Sequence, residues 1–245
     1  MIKYLGFPLL VLLFCTACSD KRGNLVSAEE NASGFCLVTD SVPDVILEVR
    51  YYSTFNFIGQ RIDGYAQPIA LLTKEAASAL KKVNEDAKAL GYCLKVYDAY
   101  RPQRAVDMFM RWAGDLNDTL MKEHFYPELS KDRIVPEEYV MEKSGHTRGS
   151  TIDLTLFDLT TQRDVDMGGP FDYFGELSHP DYPVGGKPGM RTITEEQYQM
   201  RQLLRKLMTD NGFKPLESEW WHFNLKDEPY PNTYFTFPLK ECVLK

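Results

Sequence analysis

Apolar residues recur at helical spacing in some stretches of the chain and at strand spacing in others, and the helical stretches are the clearer. Over 72–90, LTKEAASALKKVNEDAKAL sets Ala76, Leu80, Val83, Ala87 and Leu90 on one helical face, each three or four residues from the last. Thr73 stands where a side chain can cap the start, and Gly91 where a helix commonly ends. A second helix is predicted over about 194–211, where Met200, Leu203, Leu204, Leu207 and Met208 keep the same spacing. Thr194 and Gln197 have the spacing of a capping box, and Asn211-Gly212 closes the helix. Between these two helices, 92–100 (YCLKVYDAY) has the β-branched and aromatic content of a strand running into a loop. Pro102 then fits the first turn of a short helix over about 102–115. The stretches 150–157 (STIDLTLF) and 220–225 (WWHFNL) read as strands. Helices and strands mix without strict βαβ alternation, which predicts an α+β fold. No repeat or low-complexity linker divides 35–245, so we expect a single domain there: a central antiparallel sheet with flanking helices.

The first residues follow neither period. In MIKYLGFPLLVLLFCTAC, Lys3 precedes an apolar run from Leu5 to Phe14, and Thr16 and Ala17 stand before Cys18. The run is shorter than the roughly 20 residues that span a bilayer. A positive start, a short apolar stretch and small residues at the cut predict a signal peptide over 1–17. A Cys directly after them resembles the lipobox of bacterial lipoproteins, in which Cys18 would carry a lipid anchor and begin the mature chain. Cys15 stands where lipoboxes usually have an aliphatic residue, and cleavage to a soluble periplasmic protein is the alternative. The expected location is therefore outside the cytoplasm, periplasmic or anchored at the outer membrane. The polar stretch 18–34 has no period and reads as a flexible tether.

Composition narrows the functions. Of 245 residues, 44% are hydrophobic and 26% charged, as in ordinary globular domains. The net charge is −7, or −8 once Lys3 leaves with the leader, which argues against broad nucleic-acid binding. It also gives no pull toward anionic lipid, so membrane attachment would rest on the lipid at Cys18. Without Cys15 and with Cys18 acylated, Cys36, Cys93 and Cys242 remain. An oxidising compartment permits one disulfide among them, and the sequence does not choose the pair. No CxxC, P-loop, dinucleotide fingerprint or G-x-S-x-G turn is present.

The chemistry lies in two segments. SGHTRGSTID places His146 seven residues before Asp153, and ESEWWHF places Glu219 three residues before His222. A single histidine is more often structural than a ligand. Together, though, His, Asp and His with a spare carboxylate are the set that a catalytic zinc needs: three protein ligands, an open position for water and a base. Glu219 and His222 would face opposite sides of a regular strand, so a turn or bulge must bring them together. His124 has no partner at ligand spacing and reads as surface, and His179 as loop packing or a hydrogen-bonding support. Ser144 is disfavoured as a nucleophile, because no Ser–His–Asp arrangement accompanies it.

SGHTRGSTID resembles the S-x-H-x-x-G-x-A-x-D signature of the zinc D-alanyl-D-alanine peptidases, and ESEWWHF resembles the E-x-x-H that completes their site. DAYRPQRAVDMF (98–109) resembles their arginine loop, and VRYYSTFNFIGQRIDGY (49–65), MGGPFDYFGELSH (167–179) and DEPYPNTYFTFP (227–238) match in the same order. Within that family the chain looks most like the D-Ala-D-Ala dipeptidases of the VanX type, and Thr151 replaces the Ala of the signature. The resemblance implies one zinc ion on His146, Asp153 and His222, Glu219 as general base and Arg101 as the oxyanion donor. It also implies Asp172 and Tyr51 at the substrate ammonium, and Ser144 and Tyr65 near its carboxylate. Asp98 and Trp220 would support the elements presenting Arg101 and His222. The hydroxyl of Thr151 is expected close to Asp153.

The expected activity is hydrolysis of the small substrate D-Ala-D-Ala in the cell envelope, in a cleft holding the zinc. Two other readings share these residues: a D,D- or L,D-carboxypeptidase or endopeptidase acting on peptidoglycan stems, and a non-catalytic, zinc-stabilised wall-binding lipoprotein. Intact Glu219 and Arg101 argue against the last, since a binder needs neither.

Overall fold

The long helices and strands expected from the periodicity all form, within two residues of their expected ends. The computed structural model describes residues 27–29 and 32–244. In chain order the elements are β1 (Ser27–Glu29), β2 (Phe35–Leu37), α1 (Val38–Ser41), β3 (Ile46–Leu47), β4 (Leu71–Thr73), α2 (Lys74–Ala89), β5 (Tyr92–Asp98), α3 (Gln103–Gly114) and α4 (Lys122–Phe125), then β6 (Thr151–Asp158), β7 (Arg163–Asp164), α5 (Glu195–Asp210), β8 (Phe213–Leu216), β9 (Glu219–Leu225) and β10 (Thr233–Phe235). The leader 1–17, Cys18 and most of the expected tether lie outside the described residues. Three residues of that tether stretch form β1, which pairs in parallel with β10.

Thr73 Oγ1 accepts from Ala76 N and starts α2, and Thr194 with Gln197 makes a complete capping box on α5. Ala76, Leu80, Val83 and Ala87 are buried as the spacing predicts, but Leu90 is 55% exposed. It is the C-cap, and Gly91 at φ +88° turns the chain away before position 90 can join the apolar face.

The main sheet has the order β3-β5-β6-β9-β8, with β7 pairing to β6. All its pairs are antiparallel except β3–β5, which is parallel and departs from the expected antiparallel sheet. Helix α2 lies on β5, α5 lies on β8 and β9, and the two helices touch. Leu94, Val96, Ile152, Leu154, Leu156, Leu80, Val83, Leu204 and Met208 are all fully covered in the core this makes. Burial of each such side chain is worth about 1.5–3 kcal/mol.

Two irregularities in the sheet aim the chemistry. On β5, Val96 pairs with Leu154 but Asp98 pairs with Asp153, so Tyr97 is an extra residue and Asp98 turns to the face of Asp153. On β9, Pro215 faces Phe223 but Leu216 faces Glu219, so residues 220–222 bulge away from β8. An aromatic cluster holds the C-terminal tail in place: the Phe35 ring meets Tyr100, Phe235 and Phe237 at 5.2, 4.8 and 5.0 Å. The same ring lies 2.2 Å from where a Cβ on Gly149 would sit, and Gly149 has φ +79°. Only glycine fits both requirements, and it closes the turn that carries His146. Cys36, Cys93 and Cys242 are all free, so the disulfide that the compartment would permit is not formed.

Candidate metal and catalytic site

Register sets the first part of the site. Asp98, Asp153 and His222 are direct cross-strand partners on β5, β6 and β9, so their side chains share a row on one face. His146 comes from the 3-10 turn Gly145–Arg148, capped by Ser144 Oγ accepting from His146 N at 3.2 Å. Its Nδ1 donates to the Ala99 carbonyl at 2.7 Å, which fixes the tautomer and leaves the Nε2 lone pair facing inward. Nε2 lies 3.2 Å from Asp153 Oδ2 and 3.3 Å from His222 Nδ1, and His222 Nδ1 lies 3.1 Å from Asp153 Oδ1. One donor atom from each residue falls within 4.8 Å of the others. Asp153 Oδ1 is buried and makes no hydrogen bond despite the nearby imidazole. The two imidazole nitrogens lie within hydrogen-bond reach of each other and of the carboxylate, and the three donors converge closely enough for one cation to replace those contacts; the donor set suits zinc.

The β9 bulge delivers Glu219 to this corner, with Oε2 3.3 Å from His222 Nδ1 and the side chain 21% exposed. The expectation that an irregularity must join these two residues therefore holds. On the other side, Arg101 donates from Nε to Asp98 Oδ2 at 2.9 Å, and its Nη2 lies 3.6 Å from Asp153 Oδ2. Burial opposes the charge on Arg101, but Tyr51, Asp98, Tyr65 and Asp153 outweigh it and hold the guanidinium firmly protonated. Asp98 also accepts from the Tyr65 hydroxyl at 2.6 Å, so Tyr65 is committed to supporting the arginine pair. Asp98 is thus the support that the sequence suggested.

The structure brings Tyr51 and Asp172 together, with the tyrosine hydroxyl donating to Asp172 Oδ1 at 3.1 Å. Asp172 has φ +62°, a conformation that non-glycine residues hold mainly where their surroundings enforce it. Its Oδ2 is buried without a partner. Burial pushes the Asp172 carboxyl well above its ordinary value, the negative charges of Asp153 and Glu219 push the same way, and Arg101 opposes them. Ser144 stays at the cap of the His146 turn.

The family model described as D-Ala-D-Ala dipeptidase matches residues 31–240. The chain belongs to the D-Ala-D-Ala dipeptidase family. A D-alanyl-D-alanine dipeptidase of Enterococcus faecalis is 41% identical over 205 residues, which covers 84% of this chain and 98% of that protein. One from Streptomyces coelicolor is 38% identical over 205 residues with the same two coverages, 84% and 98%. One from Escherichia coli is 36% identical over 183 residues, 75% of this chain and 80% of that protein. Among solved structures, a vancomycin-resistance D,D-pentapeptidase, VanY, in complex with Zn(II) aligns at a TM-score of 0.37 and 13% identity, over 67% of this chain and 78% of that one.

Against the dipeptidase signature, one expectation needs correction. Thr151 Oγ1 donates to Asn224 Oδ1, its cross-strand partner, at 2.7 Å, and does not reach for Asp153 two residues along β6. Its effect is to tie β6 to β9 beside the site. His124 is exposed, with its ring against Phe55, and His179 is a half-buried loop residue outside the ligand cluster. Sequence reasoning missed the Ala99 carbonyl, because a backbone acceptor leaves no side-chain signal. It also missed the fork of Arg148 on Glu228, at 2.7 and 2.9 Å, which ties the His146 turn to the C-terminal tail.

Proposed function

We propose that the protein is a zinc-dependent dipeptidase that hydrolyses free D-Ala-D-Ala outside the cytoplasm. The observation that carries this reading is the meeting, on one sheet row and one turn, of His146, Asp153 and His222 with Glu219 on one side and Arg101 on the other. Zinc bound to those three donors would make a water more acidic and polarise a carbonyl oxygen. Glu219, partly open to solvent, takes a proton from the attacking water and passes it to the leaving amine. The hydroxyl ends on the carbonyl carbon, the proton on nitrogen, and two D-alanine molecules leave. Arg101 faces the oxyanion with a charge it cannot lose at neutral pH.

Asp172 is 6% exposed and its Oδ2 has no partner, so an ammonium that meets this oxygen would be enclosed by protein. A free dipeptide presents that ammonium, whereas a stem peptide presents an acylated nitrogen. This favours the free dipeptide over the carboxypeptidase reading. The signal-peptide pattern and the Cys after it support export and a lipid anchor at Cys18. An exported dipeptidase has no access to a cytoplasmic D-Ala-D-Ala pool, which points to recovery of D-alanine from wall turnover.

The test is D-alanine release by the purified protein from free D-Ala-D-Ala and from an N-acylated stem peptide, each with and without a chelator. Chelator-sensitive cleavage of the free dipeptide is the expected result. Preference for the blocked peptide would make the protein a wall carboxypeptidase, and cleavage of neither would leave only binding.

A further inference from the structure

The proposed chemistry uses the guanidinium of Arg101, but a second buried one has no role in it. Arg201, on α5, is 1% exposed and forms no ion pair with a carboxylate among the described residues. An unpaired buried charge is expensive to keep, and a packed apolar side chain in its place is often neutral or stabilising. Burial pulls its pKa down to about 10, with Asp166 and Tyr182 opposing, so it remains charged at neutral pH. Its hydrogen bonds go to backbone. Nε donates to the Met167 carbonyl at 2.6 Å, and Nη1 donates to the carbonyls of Leu177 and His179, each at 2.9 Å. Gly169 runs close beneath Nη2, where a Cβ would come within 3.4 Å.

Those three carbonyls lie at the two ends of the loop 167–179, and Asp172 lies between them. Much of this loop is irregular backbone, apart from a 3-10 turn at Glu176–Ser178. Inside it, Phe174 N donates to the Phe125 carbonyl at 2.7 Å, and Asp172 holds φ +62°. A non-glycine residue keeps that conformation when its surroundings over-determine it. The helix that carries Arg201 packs on β8 and β9, and β9 carries Glu219 and His222.

We propose that Arg201 is a positioning residue: by pinning both ends of the Asp172 loop to α5, it sets where a substrate ammonium sits relative to the carbonyl attacked beside Glu219. This rests on the reading above that Asp172 meets the ammonium. The side chain touches no reacting atom, and its planar fork holds three carbonyls in one fixed geometry from two nitrogens, which a lysine's single rotating ammonium does not reproduce.

The experiment is a cycle of Arg201→Met, Asp172→Asn and the double variant in the full protein, with zinc content and D-Ala-D-Ala kinetics measured for each. Arg201→Met is expected to keep one zinc per chain and to lose about 10²-fold in kcat/KM, carried mainly by KM, as a misplaced binding group does. In the Asp172→Asn background the same change is expected to cost less than about threefold, because the group it positions is already gone. If Asp172→Asn raises KM while Arg201→Met does not, or if the two losses multiply in full, the positioning role is wrong and the ammonium reading stands. If Asp172→Asn itself leaves KM unchanged, the ammonium reading fails and takes the positioning role with it. Should Arg201→Met fail to fold, Arg201→Lys gives the decision by hydrogen exchange. Faster exchange of amides 171–176, with β6 and β9 still protected, supports the proposal, and unchanged exchange there overturns it.

Discussion

Asp153 and Asp172 are similarly buried, at 2% and 6% exposure, and each has one carboxylate oxygen without a hydrogen bond, yet their charges are set in opposite directions. Burial pushes both carboxyls up. At Asp153 the imidazoles of His146 and His222 outweigh it and hold the group well below the usual carboxylate range. At Asp172, Asp153 and Glu219 add to burial, while Arg101 and the Tyr51 hydroxyl pull the other way without offsetting them. The supports differ as well. Asp153 is fixed by two sheet neighbours in register, whereas Asp172 sits in a loop with φ +62°. On the proposed reading, one carboxylate stays charged against a cation that remains, and the other meets a cation that comes and goes. Environments that drive two like groups apart in pKa mark a division of roles.

The sharpest way to break this comparison is at the metal corner. His222→Ala is expected to lose both zinc and activity, whereas Glu219→Ala should keep zinc and lose about 10²–10⁴ in kcat. Metal analysis beside dipeptide turnover separates them, and a Glu219→Ala protein with most of its activity would remove the assigned base. Next in size, Arg101→Lys should cost about 10²–10³ in kcat with zinc retained, because an ammonium cannot reproduce the fork held by Asp98. At the other end, Asp172→Asn removes one charge from the ion pair proposed with the substrate ammonium. KM is expected to rise about tenfold to a hundredfold with kcat nearly unchanged. A large fall in kcat instead would place Asp172 at the reacting atoms and erase the contrast.

Much of the metal corner was legible because its residues fall in short segments whose spacing carries meaning. His146, Asp153, Glu219 and His222 lie in two stretches, and even the need for a bulge at Glu219 followed from period two against a separation of three. The pairing of Asp172 with Tyr51, the proposed amine end, was suggested only by family resemblance, since Asp172 stands in a loop with no period and Tyr51 is 121 residues away. The one departure from the signature was misplaced. The Thr151 hydroxyl was expected near Asp153, but the cross-strand distance to Asn224 is shorter than the step along β6. The clamp of Arg201 on three carbonyls left no trace, because backbone acceptors have no letter of their own, and an arginine in an amphipathic helix reads as solvated.

The smallest expected effect concerns protons at the same corner. In the metal-free protein, burial lowers the pKa of His222, but Asp153 and Glu219 outweigh it and raise it to about 9. Zinc needs the neutral ring, so at pH 7 its binding must displace the His222 proton, and above about pH 9 it need not. The two contributions to stability then run in opposite directions. A raised folded pKa stabilises the metal-free protein fully below the unfolded value of about 6.5, and this is lost as pH rises through 9. Zinc stabilisation grows over the same window, by about one decade of affinity per pH unit for one proton released. The gap in Tm between zinc-loaded and chelated protein should therefore widen from pH 6.5 to 9 and then level off. Calorimetry in buffers of different ionisation enthalpy should find about one proton released at pH 7. A gap that stays flat across that range would mean that His222 is already neutral. The negative charge around Asp153 and Glu219 would then be weaker than the geometry implies, and the contrast with Asp172 would narrow accordingly.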